Sequence, residues 1–181
     1  MKKIFITLII VFLQPSLYSV YSQVTIATDV ETNTSYDDGF QDGDNGGSGF
    51  NAWDITTTGG GGAYAGSSGQ SSNSLAIYTG ATGTAIAKRT FTFGDMLPGH
   101  KFSIDLGHTS TINGEIGINL FDGVSSVITL KFVSGGSNWL LNDGGSDFNA
   151  GQNYSANTSL TFTFTYEGGS NYSYTFGSGS G

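Results

Sequence analysis

After residue 70 nearly every apolar segment alternates apolar and polar positions with a period of two. Ala85, Ala87, Phe91 and Phe93 share one face with Arg89 among them, and Thr84, Lys88, Thr90 and Thr92 lie opposite. Phe102, Ile104 and Leu106 form the next inward set, with Ser103 and Asp105 facing out. Ile116, Ile118 and Leu120 follow, then Ile128, Leu130 and Phe132. Leu160, Phe162, Phe164 and Tyr166 alternate with Thr161, Thr163 and Thr165, and Tyr172, Tyr174 and Phe176 alternate with Ser173 and Thr175. Successive side chains of a strand point to opposite faces, so each set predicts a strand with one buried face.

Turn signals separate these runs: Leu97-Pro98-Gly99, Asn113-Gly114, Asp122-Gly123, Gly135-Gly136, Asp143-Gly144-Gly145 and Gly168-Gly169. Asn-Gly and Asp-Gly supply the positive φ that tight hairpins require. No segment sustains a 3.6-residue period, so at most one helical turn is expected. The pattern predicts an all-β chain folded as an antiparallel two-sheet sandwich.

Residues 29–83 depart from the alternation. They are rich in Gly, Ser and Asp, with short apolar patches at 52–55 and 75–78. They are expected to hold one or two strands carrying long ordered loops, with Gly59–Gly62 as a flexible tip. At the other end, Tyr172–Phe176 is followed only by Gly-Ser repeats to Gly181, which suggests a fragment whose last strands are missing.

The first residues carry a different signal. Lys2 and Lys3 precede ten apolar residues, Ile4–Leu13, with small residues around Ser22 before Gln23. This is the layout of a secretory signal peptide. Ten apolar residues are too few for a membrane span, which needs about 20. Residues 1–22 are therefore expected to be a cleaved leader, and 23–181 a single domain that is secreted or held at the cell surface.

Cleavage would leave Lys88, Arg89, Lys101 and Lys131 against 14 acidic residues, a formal charge of −10. Such a surface repels phosphate backbones and anionic membranes, so neither is an expected partner. The chain contains no cysteine, which removes thiol catalysis and thiolate metal sites. With 13 Phe and 9 Tyr it has ample material for a core.

The densest polar cluster is Asp37, Asp38, Asp42, Asp44 and Asn45, on a glycine-bearing loop of the kind calcium favours. Its spacing departs from an EF-hand, with Gly46 at position five and no Glu at position twelve. Residues 46–53 resemble one calcium-binding nonapeptide repeat with Asn51 in place of Asp, a motif that binds in stacked copies. Calcium is thus the one cofactor expected, the alternative being a solvated, turn-rich loop that holds no metal.

Trp139, Asn142 and Asp143 lie close together, an aromatic face beside side chains able to bond sugar hydroxyls. They are the expected ligand contacts, cross-strand packing of Trp139 being the alternative. Catalytic arrangements are thin. Glu31, Glu115 and Glu167 are the only glutamates, and none sits in the paired-acid spacing that glycoside hydrolysis uses. His100 and His108 fall near opposite ends of one strand, and no nucleophile elbow leads into a helix. Arg89, pointing inward, calls for a carboxylate partner, with Asp95 or Asp105 the nearest in sequence.

The succession Asn45–Trp53, Ala85–Phe91, Gly99–Asp105, Gly114–Leu120 and Asn138–Gly144 resembles a largely uncharacterised family of exported bacterial modules. Its leader is similar to those of Bacteroidota exports. The resemblance covers about residues 29–174 and implies a lectin-like, concanavalin A-type jelly roll. Members usually continue beyond the point where this chain stops. The resemblance brings no catalytic residues.

Together these features lead to the expectation of an exported, non-catalytic sandwich module that binds extracellular glycan or serves in surface adhesion. The alternatives are a domain of a secreted polysaccharide-degrading enzyme and a structural spacer among neighbouring modules of a larger surface protein.

Overall fold

The computed structural model describes residues 24–68, 71–109, 113–177 and 179–180; the leader expected at 1–22 lies outside the described residues. Strands β1 (Asp54–Thr57), β2 (Gly62–Gly66), β3 (Ser74–Tyr78) and β4 (Ala85–Lys88) form two small antiparallel pairs, β1 with β4 and β2 with β3. Next come β5 (Lys101–His108), β6 (Glu115–Asp122), β7 (Ser125–Val133), β8 (Asn138–Asn142) and β9 (Phe148–Asn153). The last are β10 (Thr158–Gly168), β11 (Asn171–Phe176) and β12 (Gly179–Ser180). One four-stranded sheet runs β12-β11-β10-β5 and the other β6-β7-β8-β9. Both are antiparallel and they pack against each other, so the chain is an all-β sandwich.

Register follows the alternation. Phe162 stands opposite Ile104 on one side and Phe176 on the other, so three inward residues make one row across the sheet. In the second sheet Leu130 is flanked by Ile118 and Leu141 in the same way. A one-residue slip in either sheet would turn the whole row to solvent, which is what fixes the pairing. The inward rows meet in a single core of Ile128, Leu130, Phe132, Trp139, Leu141, Ala150, Phe162, Phe164, Tyr174 and Phe176. Trp139 and Phe176 join the two sheets edge to face at 5.1 Å between ring centroids. Each fully buried apolar side chain of this size contributes about 1.5–3 kcal/mol.

The Gly-rich region holds three strands rather than one or two. The patch at 52–55 runs into β1 and that at 75–78 falls on β3. A Cβ on Gly59 would sit 2.4 Å from the Cα of Gly83, so this one glycine of the Gly59–Gly62 run is packed against the turn that precedes β4, while Gly60 has open space around it. Helix is limited, among the described residues, to one 3-10 turn at Thr34–Tyr36, capped by the Asn33 side chain on the Ser35 amide.

Arg89 does point inward, but its partner is Asp29, not Asp95 or Asp105. Residues 24–53 form a strap bonded to the residues that follow β4, and Arg89 is the point at which the strap is fastened. Its guanidinium bonds Asp29, the Asn45 side chain at 2.8 Å and the Gly46 carbonyl at 3.1 Å, while Nε donates to the Asn51 carbonyl at 2.7 Å. The same group lies over the rings of Phe50 and Trp53 at 4.9 and 5.0 Å. Tyr36 donates to Asp29 and accepts from the Trp53 indole, closing the network. The glycine run that resembles a nonapeptide repeat has a packing reason here. Added Cβ atoms on Gly47 and Gly49 would sit 2.0 and 2.3 Å from the carbonyl oxygens of Thr28 and Ile26, and both residues have positive φ. Only glycine lets the first strap segment lie this close to the second.

His108 ends β5 with Nδ1 2.8 Å from the Tyr154 hydroxyl, and the Tyr154 ring stacks on Phe132 at 3.7 Å. Burial holds the imidazole below its ordinary value of 6.5. As pH falls through the unfolded value the unfolded chain takes up the proton first. Stability is therefore full above about pH 6.5 and falls below it. Melting between pH 7.5 and 5 should show this loss, and His108→Gln should flatten it. An unchanged slope in the variant would assign the loss elsewhere.

Candidate functional site

Trp139 has no face to offer a ligand. It is 2% exposed, wedged between Phe132 and Phe176, and its buried indole N–H meets no acceptor among the described residues. The correction has a simple cause: in β8 the inward positions are Trp139 and Leu141, and both fill the core. Asn142 faces out and ties its own loop. Its amide donates to the Gly145 carbonyl and to Asp147, and its oxygen accepts from the Gly144 amide. Asp147 also holds Lys131, which bridges to Glu115, and these contacts lower the Asp147 carboxyl below its usual range, the Asn142 bond being the largest cause.

Asp143 does reach an accessible site. The β8–β9 loop of one sheet and the β10–β11 hairpin of the other come together at the same end of the sandwich. Between them lies an open groove of about 350 Å³ lined by Asp143, Phe148, Ser170, Asn171, Tyr172 and Tyr174. The local reason is the inward row of β11. Phe176 is fully buried, Tyr174 is 7% exposed, and Tyr172 is half-buried at the rim. Phe148 stands opposite Leu141, on the core side of β9, yet is 41% exposed at the first position of the strand, beside the β8–β9 loop. The inward aromatic row of β11 thus runs from the core to the groove lining.

Tyr172 stacks on Phe164 at 5.4 Å and donates its hydroxyl to Asp143 Oδ2 at 2.9 Å. Burial first, and then the bond to Asp143, push the phenol up to about 12, so it is a neutral donor throughout the physiological range. Burial also pushes Tyr174 up. The chemistry on offer is ring faces, one carboxylate, a hydroxyl and an amide, which suits binding of a hydroxylated ligand.

The acidic loop is arranged differently. Asp42 accepts the Ile55 amide at 2.8 Å, Asp44 accepts the Gln41 amide at 2.7 Å, and Asn45 accepts from Arg89. Asp38 is exposed, and Asp37 caps the 3-10 turn and lines a second depression with Glu31, Thr32, Tyr36, Ala65, Gly66 and Asn73. Asp42 and Asn45 therefore tie the loop to the fold, and Asp44 ties the loop to itself. Among the described residues no three His, Asp or Glu side chains converge as a metal-holding group. Asp105 accepts from Thr161 on the outer face of one sheet, and Glu115 pairs with Lys131 in the other, so the two acids are not brought together. No helix among the described residues is long and apolar enough to cross a membrane.

Phe148, Ser170, Asn171, Tyr172 and Tyr174 were not expected at a site. Their sequence signal is an inward aromatic row that runs right up to a Gly-Gly-Ser turn, opposite an Asp-Gly-Gly turn. Comparison of the chain with protein-family models, curated proteins and solved structures finds no match in any of the three.

Proposed function

We propose that this chain is an exported, non-catalytic sandwich module that binds extracellular glycan through the groove between the β8–β9 loop and the β10–β11 hairpin. The observation that carries the reading is the half-open aromatic rim, where Phe148 and Tyr172 stand beside Asp143, Ser170 and Asn171. Sugar rings present apolar C–H faces and a periphery of hydroxyls, and this rim offers a partner to each. Asp143 is the only carboxylate lining the groove among the described residues, and glycoside hydrolysis uses two. The basic and apolar start at 1–22 supports export.

A panel of extracellular polysaccharides presented to the purified protein tests the reading. At least one should bind, and Phe148→Ala should weaken that binding by about tenfold, the cost of losing one aromatic contact. Because Phe148 is 41% exposed, its removal should lower the melting temperature much less than truncation of a buried core aromatic does. A protein that binds nothing on the panel, or that binds equally well without Phe148, contradicts the proposal. Calcium at the Asp37–Asn45 loop is read separately by melting with and without a chelator: ligation requires a fall in Tm on chelation.

A further inference from the structure

The groove combines several aromatic rings with one negative charge and, among the described residues, no positive one. Its lining is Phe148, Tyr172, Tyr174, Ser170, Asn171 and Asp143. Lys131, on the neighbouring strand β7, is already held by Glu115 and Asp147. Tyr172 takes one oxygen of Asp143, Oδ2, and the structure gives Oδ1 no donor among the described residues. A neutral sugar can give that oxygen one hydroxyl hydrogen bond, whereas an ammonium gives it a charge-assisted one, which is about twice as strong. A cation would meet the carboxylate directly and lie near aromatic faces, an arrangement whose two attractions reinforce each other. The acidic chain as a whole adds a field of the same sign.

We propose that the groove is selective for an amino sugar, with the protonated amine against Asp143 and the Phe148 ring and the sugar hydroxyls on Ser170 and Asn171. This rests on the glycan reading above and names its ligand class. The hydroxyl and amide at the rim are what favour a saccharide over a simple ammonium or a lysine side chain.

Titration calorimetry of the full chain at pH 6 with a glucosamine tetramer and its fully N-acetylated counterpart tests the inference. The two differ mainly in the amine charge. The free amine should bind about tenfold tighter, and raising the salt from 50 to 500 mM should shrink that ratio. Asp143→Asn, checked for an unchanged circular dichroism spectrum, should bring the ratio to about one. Equal binding of the two tetramers, or a preference kept by Asp143→Asn, overturns the amino-sugar assignment and leaves the glycan reading standing. Tetralysine binding as tightly as the glucosamine tetramer overturns the saccharide choice. If neither tetramer binds and the polysaccharide panel is also silent, both readings fall together.

Discussion

Arg89→Met is expected to destabilise the protein by about 3 kcal/mol or more, the range for breaking a buried ion pair by removing one partner. The Arg89 side chain is 4% exposed and that of Asp29 is 12%, so the carboxylate left behind has little water to turn to. The loss goes beyond the pair, because Arg89 also bonds Asn45, Gly46 and Asn51, and its absence removes the cation lying over Phe50 and Trp53. Lysine should rescue poorly: one ammonium cannot reproduce the planar fork that serves the carboxylate, the amide and two carbonyls at once. The double variant Arg89→Met with Asp29→Asn should lose less than the two single variants combined, since no uncompensated charge remains. Denaturant unfolding of the four proteins measures this cycle. A cost below about 1 kcal/mol for Arg89→Met would mean that the pair behaves like a surface one and that the strap is held by other contacts.

Phe162→Ala should cost about 3–5 kcal/mol, as large aromatic truncations in closed cores do. Phe162 is fully buried at the centre of β10, between Ile104 and Phe176 in the sheet and within ring contact of Tyr174. Both flanking strands are pinned by the register, so the cavity has little freedom to collapse. Equilibrium unfolding should show the midpoint shifted with the slope m unchanged. A loss under about 1.5 kcal/mol would indicate that the sheets close over the gap, contrary to the tight row described here.

The two variants also mark how much of the molecule was legible in its residues. Phe162 was: strict alternation through Leu160–Tyr166 predicts its face, and neighbours in register follow from the same rule. The strands β5, β6, β7, β10 and β11 were legible for this reason. Strand β9 was not, since Phe148-Asn149-Ala150-Gly151-Gln152-Asn153 has only two apolar residues, and its pairing comes from β8 beside it. In β8 the outward Leu140 blurs the period and makes Trp139 look like part of a surface patch.

Arg89 was half legible. Its inward direction follows from alternation with Ala87 and Phe91. Its partner lies 60 residues away, on a strap with no period of its own, so nothing local could point to Asp29. The groove was legible only through Asp143. Of the other lining residues only Tyr172 and Tyr174 were read, as strand; that loops of two different sheets meet at this end is a property of the tertiary packing and appears in neither strand alone.

The most direct test of the groove is a map of amide chemical shifts in the labelled protein as a binding saccharide is titrated. The account predicts that the largest shifts fall on Asp143, Phe148, Ser170, Asn171 and Tyr172, from two loops 27 residues apart in sequence between Asp143 and Ser170, and fade along β11 towards Phe176. Shifts centred on the Asp37–Asn45 loop or on the outer face of the β6–β9 sheet, with the groove unmoved, would contradict it.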